Sequence, residues 1–233
     1  MPRTIAFDIE LADIFDLAPG EDLASRGPFR IACAAAACDA GSLRHWFCRS
    51  PDGCPGGHLD VDTVREMLGH LRTLQLAGDR LVAWNGLSFD LLWLGHAADD
   101  IPLAREIALD LFDPMFQFFV RRGFPVSLAA VAEAMGVEER KSMGGADAPK
   151  RWAAGAHQEV LDYVAGDCRI TAAVAAAITR ERRVRWRTQK GTVSSEPLPE
   201  LLPVKALLDA PLPDTSWMTT PLPRSKFTAW LDR

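Results

Sequence analysis

Apolar positions open the chain in a short run. Residues 3–9, Arg-Thr-Ile-Ala-Phe-Asp-Ile, predict a strand that meets acids at its end. Residues 29–37 (Phe-Arg-Ile-Ala-Cys-Ala-Ala-Ala-Ala) predict a second strand, although so much alanine also suits a helix. Residues 43–48 predict a third strand, and 49–60, rich in Gly, Pro and Asp, a loop. Apolar side chains then fall at Val61, Val64, Met67, Leu68, Leu71, Leu74 and Leu76, mostly at helix spacing. Gly78-Asp79 break that helix, and Arg80-Leu81-Val82-Ala83-Trp84 predicts a buried strand. Ser88 is suited to cap a helix running through Leu91, Leu92, Leu94 and His96. Helices follow over 113–121, 127–136 (capped by Ser127) and 157–182. Strands first, then strands alternating with helices, predict an α/β fold: a mixed sheet flanked by helices.

The last third changes character. Residues 184–193 predict a short strand pair. Seven prolines between Glu196 and Pro223 then block long helices and central strands. Trp217, Met218, Phe227, Trp230 and Leu231 are nonetheless too apolar for a solvated linker. The expected organisation is one domain over 1–183 and a Pro-rich C-terminal arm over 184–233, packed on that domain. The alternative is a disordered tail that binds a protein partner.

Composition narrows the class. Apolar residues at 48% and charged residues at 24% are globular values and argue against global disorder. A net charge of −5 excludes a bulk nucleic-acid coat protein but leaves room for a local basic stripe. No stretch approaches the roughly 18 apolar residues of a membrane span. An acid at Asp8 comes too early for a signal-peptide core, and five cysteines is an odd number. These features predict reduced thiols and a cytoplasmic location. Cys33, Cys38, Cys48 and Cys54 with His45 and His58 contain no Cys-x-x-Cys pair, which favours buried thiols over zinc. Cys168 has no local base and reads as packing.

Three acidic sites stand out by context. Asp8 and Glu10 are two apart on a strand, so their carboxylates share a face at the rim of the core. Asn85-Gly86-Leu87-Ser88-Phe89-Asp90 turns out of a buried strand and delivers Asp90 on the first turn of a helix. Asp167 sits in a helix whose other face carries Val160, Leu161, Val164, Ile170, Thr171 and Val174. Singly, each suits an ordinary role: strand-edge charges, a carboxylate at a helix N-terminus, a solvated face. Four carboxylates converging on one point, however, repel and raise one another's pKa, and a bound cation relieves them. Hard oxygen ligands select Mg²⁺ or Mn²⁺.

In order and context the motifs Phe7-Asp8-Ile9-Glu10, Asn85 to Asp90, and Tyr163-Val164-Ala165-Gly166-Asp167 resemble those of the DEDD 3′–5′ exonucleases. That family has a ribonuclease H-like fold and includes polymerase proofreading domains and RNA-processing enzymes. The resemblance covers about residues 3–180. Tyrosine precedes the last aspartate by four residues, and position 162 is Asp where the histidine subtype has His. The chain is therefore similar to the tyrosine subtype, close to the exonuclease domain of family B polymerases. Tyr163 is the one tyrosine in the sequence and shares a helix face with Asp167.

The resemblance implies two-metal phosphodiester hydrolysis, with two ions roughly 4 Å apart. Asp8, Glu10 and Asp167 would hold the ion that activates water. Asp8 would bridge to a second ion supported by Asp90, and Tyr163 would orient the water. The product would be a nucleoside 5′-monophosphate from a 3′ end of single-stranded DNA or RNA. Leu11 stands where family members often carry Thr, which bears on the packing of the terminal nucleotide. Asn85 and Phe89 are further expected contacts.

Residues 180–190 carry six basic residues against one acid, with Trp186 among them. Arg185 and Trp186 are thus candidates for phosphate contact and base stacking, or for a helix end and a core ring. Lys141, Lys150 and Arg151 surround the Gly-rich link at 142–145, which suits a basic loop near the scissile strand or a solvated connection. The expected function is a metal-dependent 3′–5′ exonuclease for trimming or repair, alone or within a larger assembly. The alternatives are a catalytically silent binding module on the same fold, an endonuclease, and an interaction protein acting through the arm.

Overall fold

Eight residues, Thr4–Leu11, form the central strand β1, and its alternation sets the layers of the molecule. Ile5, Phe7, Ile9 and Leu11 point to one face, while Ala6, Asp8 and Glu10 point to the other. The computed structural model describes residues 2–18, 20–39, 41–50, 53–138 and 143–232.

Strands β2 (Ile31–Cys38), β3 (Leu43–Phe47) and β4 (Arg80–Val82) complete a four-stranded sheet in the order β3-β2-β1-β4. β1 and β2 are antiparallel with Asp8 opposite Ala35 and Glu10 opposite Cys33. β4 runs parallel to β1 and ends at Val82, opposite Ala6.

The large-residue face is covered by α1 (Val61–Leu76), α2 (Asp90–Ala98) and α3 (Ile101–Leu109). Asp60 caps α1 by accepting from the Thr63 amide at 2.8 Å. Val64, Met67, Leu68 and Leu71 of α1 are buried under the sheet. Complete burial of such side chains contributes roughly 2 kcal/mol each. The other face receives α7 (His157–Glu181). There β2 presents Cys33, Ala35 and Ala37, all buried and all small. Small residues let α7 approach closely, and the Cys168 thiol donates to the Ala35 carbonyl at 3.3 Å. The alanine run is thus a strand, chosen by the helix that lies on it rather than by propensity.

α4 (Pro114–Arg122), α5 (Leu128–Met135) and α6 (Ala148–Ala153) fill the connections. Ser127 caps α5 through the Ala130 amide, as expected. Ser88 does not cap α2: that helix starts at Asp90, and the Ser88 hydroxyl donates to Asn85 Oδ1 at 2.5 Å. α3 and α6 have no counterpart in the sequence-based elements; each is short and carries proline in its first turn.

After α7 the chain forms a hairpin, β5 (Arg183–Arg187) with β6 (Val193–Pro197), which begins one residue before the predicted pair and ends four after it. The proline-rich segment then docks on the body. The Val204 amide donates to Leu111 O at 2.8 Å, and Gln117 exchanges bonds with Glu200 O and the Leu202 amide. A last short helix, α8 (Ser225–Thr228), seats Phe227 beside Phe116 and Phe119, and the Trp230 indole donates to Leu87 O at 2.9 Å. Val204, Leu207, Phe227, Trp230 and Leu231 belong to the same core as Phe7 and Ile9. No helix among the described residues is long and apolar enough to cross a membrane.

Candidate functional site

The acids gather where three elements meet. β1 supplies Asp8 and Glu10, and α7 supplies Asp167 across the small residues of β2. Carboxylate oxygens of these three lie within 4.8 Å of one another. Among the described residues this is the one group of three or more acid, His or Cys side chains close enough to hold a metal ion. Glu10 and Asp167 are buried and Asp8 is half-buried. Three clustered carboxylates, two of them buried, are a poor arrangement for a metal-free protein and a good one for a divalent cation.

Asp90 joins them from α2. β4 stops opposite Ala6, so the Ile9 amide further along β1 finds no strand partner there. It donates instead to Asp90 Oδ1 at 3.1 Å. Asp90 also shares a hydrogen bond with Asp8. Burial, reinforced by the charge of Asp113, pushes Asp90 up to about 7, against the pull of its bonds to Asp8 and the Ile9 amide.

Tyr163 stands one turn before Asp167 on α7 and hydrogen bonds to its carboxylate. The phenol is driven well above its ordinary value by burial, then by the charges of Asp167 and Glu10. It therefore stays protonated and serves as a donor. Gly145 lies against it; a Cβ there would stand 3.9 Å from the Tyr163 hydroxyl.

The turn that delivers Asp90 is held by a residue with no role in the sequence-based reading. Asp113 accepts the amides of Asn85 (3.2 Å) and Leu87 (3.1 Å) with one end of the turn and those of Met115 and Phe116 (both 3.1 Å) in α4. Burial raises Asp113 to about 6, while these four amides favour its charged form. Asp-Pro at the head of an apolar run is a helix-start signal, and here the cap doubles as a clamp. Asn85 sits at φ 70, and at Gly86 a Cβ would come 2.4 Å from Ala83 Cβ, so this turn needs glycine.

Two cavities flank the acids, both reaching Asp8, Asp167 and Phe89. The smaller, about 380 Å³, is bounded by Leu11, Phe15, Gly145 and Tyr163. The larger, about 760 Å³, is bounded by Trp84, Asn85, Ser88, Val126 and Thr171. The segment between β1 and β2, polar and unassigned by sequence, walls both of them. Ile14 and Leu17 line the smaller cavity, Asp22 and Ala24 the larger. Asp13 pairs with Arg30, Phe15 packs on Phe29, and Asp22 pairs with Lys226 of the arm.

Leu11, Asn85 and Phe89 line these cavities. Arg185 and Trp186 line neither of the two; Trp186 borders a separate groove with Arg122 and Lys190. Strand alternation turns Trp186 into the core against Phe118, at 4.9 Å and edge-on, with 6% of its surface exposed. Arg185 folds back onto Glu181 at 2.8 Å. Lys141 lies outside the described residues. Cys33 and Cys168 are buried, and burial raises both thiols.

Residues 58–179, more than half of the chain, match the family model of the RNase_H superfamily. The chain belongs to the ribonuclease H superfamily. This superfamily member is also similar in structure to the family B DNA polymerase from the hyperthermophilic archaeon Pyrobaculum calidifontis. The TM-score is 0.52 at 20% identity, over 76% of this chain and 24% of the polymerase. The likeness is one of fold, and the chain spans about a quarter of that polymerase's length. No curated protein matches the sequence. The mixed sheet of this ribonuclease H-like fold, flanked by helices, is the one expected from the sequence, and it agrees with the DEDD resemblance of the three motifs.

Proposed function

We propose that the protein is a metal-dependent 3′–5′ exonuclease acting on single-stranded DNA or RNA. The observation that carries this reading is the convergence of Asp8, Glu10 and Asp167 within 4.8 Å in a ribonuclease H-superfamily chain. Asp90 on Asp8 and the Tyr163 phenol on Asp167 support it.

Asp8, Glu10 and Asp167 would hold Mg²⁺ or Mn²⁺, and Asp90, bonded to Asp8, would support a second ion. When bound, the ions supply Lewis acidity toward the phosphodiester and lower the pKa of water. Tyr163, kept protonated, donates at the edge of the smaller cavity and orients the attacking water. Leu11 and Phe89 pack the terminal nucleoside. The 3′-terminal unit leaves as a nucleoside 5′-monophosphate.

Directionality is tested with 5′-labelled single strands of matched DNA and RNA sequence, each with a free or a 3′-blocked end. The expected result is a ladder that shortens one nucleotide at a time from free 3′ ends and stalls on blocked ones. Internal fragments from blocked strands would instead mark an endonuclease.

A further inference from the structure

Trp217 lies on the arm with 65% of its surface exposed, the largest exposed ring in the described structure. It is nonetheless fixed. Its indole donates to Asp214 O at 3.2 Å, and its ring meets Phe124 edge-on at 6.2 Å and 85°. It forms one side of an open groove of about 850 Å³. The turn of the β5–β6 hairpin forms the other side.

The chemistry of the groove is one-sided. Arg122, Arg187 and Lys190 line it, with the hydroxyls of several threonines, and no acid does so among the described residues. Arg122 is partly neutralised by Glu196 at 3.3 Å and Arg187 by Glu133 at 2.7 Å. Lys190 is exposed at the hairpin turn. In a chain of net charge −5 this is a local basic surface with a presented aromatic face.

The groove also adjoins the cavity that holds the acids. Pro125, Val126 and Ser127 line both this groove and the larger cavity that reaches Asp8 and Asp167. That shared wall is pinned by the Trp84 indole, which donates to Val126 O at 3.0 Å.

We infer that this groove is a track for the unpaired nucleic-acid strand, with Trp217 as a base-stacking platform and Lys190 as a phosphate contact. The inference rests on the exonuclease reading for its direction: the 3′ end at the acids, the 5′ portion leaving over Ser127 toward Trp217. Stacking on an exposed ring needs a free base face, which a duplex does not offer. Lys190 meets a phosphate, while Arg122 and Arg187, each paired with a glutamate, add a weaker positive field.

The test uses the full chain in EDTA, so that binding is read without cleavage. Fluorescence anisotropy follows labelled oligothymidylate and oligouridylate, as dinucleotides and 12-mers, with wild type, Trp217→Ala, Trp217→Phe and Lys190→Glu. Trp217→Ala is expected to weaken the 12-mer about ten-fold and leave the dinucleotide unchanged, while Trp217→Phe retains most of the affinity. Lys190→Glu is expected to lower the salt slope of 12-mer binding by about one. The preferred oligonucleotide names DNA or RNA.

Hydrolysis, with Mn²⁺ in place of EDTA, of thymidine 5′-monophosphate p-nitrophenyl ester, too small to reach the groove, separates the two readings. If the ester is cleaved but 12-mer binding is indifferent to Trp217, the track is wrong and the exonuclease stands. If 12-mer binding depends on Trp217 but the ester is never cleaved, the track stands and the exonuclease falls. No binding of either 12-mer overturns the track and leaves the groove to a protein.

Discussion

Tyr163 donates its phenol to Asp167, one helical turn further along α7, and both face Glu10 across the small residues of β2. The single tyrosine of the chain thus spends its hydroxyl on the acid cluster. Tyr163→Phe keeps the buried ring and removes the donor. It is expected to cost about 1 kcal/mol of stability or less and to leave cation binding intact. Turnover is expected to fall roughly ten- to hundred-fold, the scale of a lost proton-handling group. Steady-state kinetics beside urea unfolding checks both halves; equal turnover in the variant would remove Tyr163 from the mechanism.

Asp90 makes a pH prediction. In the metal-free protein its carboxyl is raised to about 7, and Asp113 to about 6, both by burial. Their folded values lie above the unfolded one, so the folded state holds protons that the unfolded chain releases. In respect of these groups, stability of the metal-free protein is therefore fully present below about pH 4 and is lost as pH rises through the folded values of about 6 and about 7. A bound cation has to displace the Asp90 proton, so affinity for Mn²⁺ is expected to strengthen from pH 6 to 8. Calorimetric titration in two buffers of different ionisation enthalpy should register proton release below pH 7, and Asp90→Asn should abolish it.

Asp113 is a positioning residue. Asp113→Ala leaves four amides without their acceptor: those of Leu87, Met115 and Phe116, which are buried, and that of Asn85, which is half-buried. The expected loss is about 3 kcal/mol. Asp113→Asn retains one acceptor oxygen and is expected to lose less. Denaturant midpoints of the two variants give the comparison; equal loss would mean that the clamp geometry is unimportant.

Ala35 tests why β2 is so small. It lies fully buried between Asp8 on β1 and α7. Ala35→Leu overfills that layer at a cost of about 1–3 kcal/mol and pushes Asp167 from the other acids. Cation affinity is expected to fall more than the stability loss alone explains. Retained affinity in a folded variant would show that α7 tolerates the displacement.

Most of the sheet was legible in the chain, because period-two alternation in residues 3–9 and the helix spacing after Val61 survive in the structure. The four acids were legible through their local context: Asp8 and Glu10 share one face of β1, Asp90 opens α2, and Asp167 lies inside α7 one turn after Tyr163. What sequence concealed was set by tertiary packing. Alanine in β2 carries no strand preference and becomes a strand under α7. Trp186 and Trp217 look alike in composition, but strand alternation buries the first, while the second lies among prolines and stays exposed. Asp113 announces a helix start, yet nothing local reveals that it also holds a turn 28 residues earlier.

The most direct test of the central claim is cleavage and Mn²⁺ binding followed in the same samples, wild type and Asp8→Ala. Single-stranded DNA and RNA are each incubated with Mn²⁺ or with EDTA. The account predicts that wild type binds Mn²⁺ and releases nucleoside 5′-monophosphates only with the cation, and that Asp8→Ala, still folded, loses both. Wild-type protein that binds Mn²⁺ and leaves both polymers intact would contradict it.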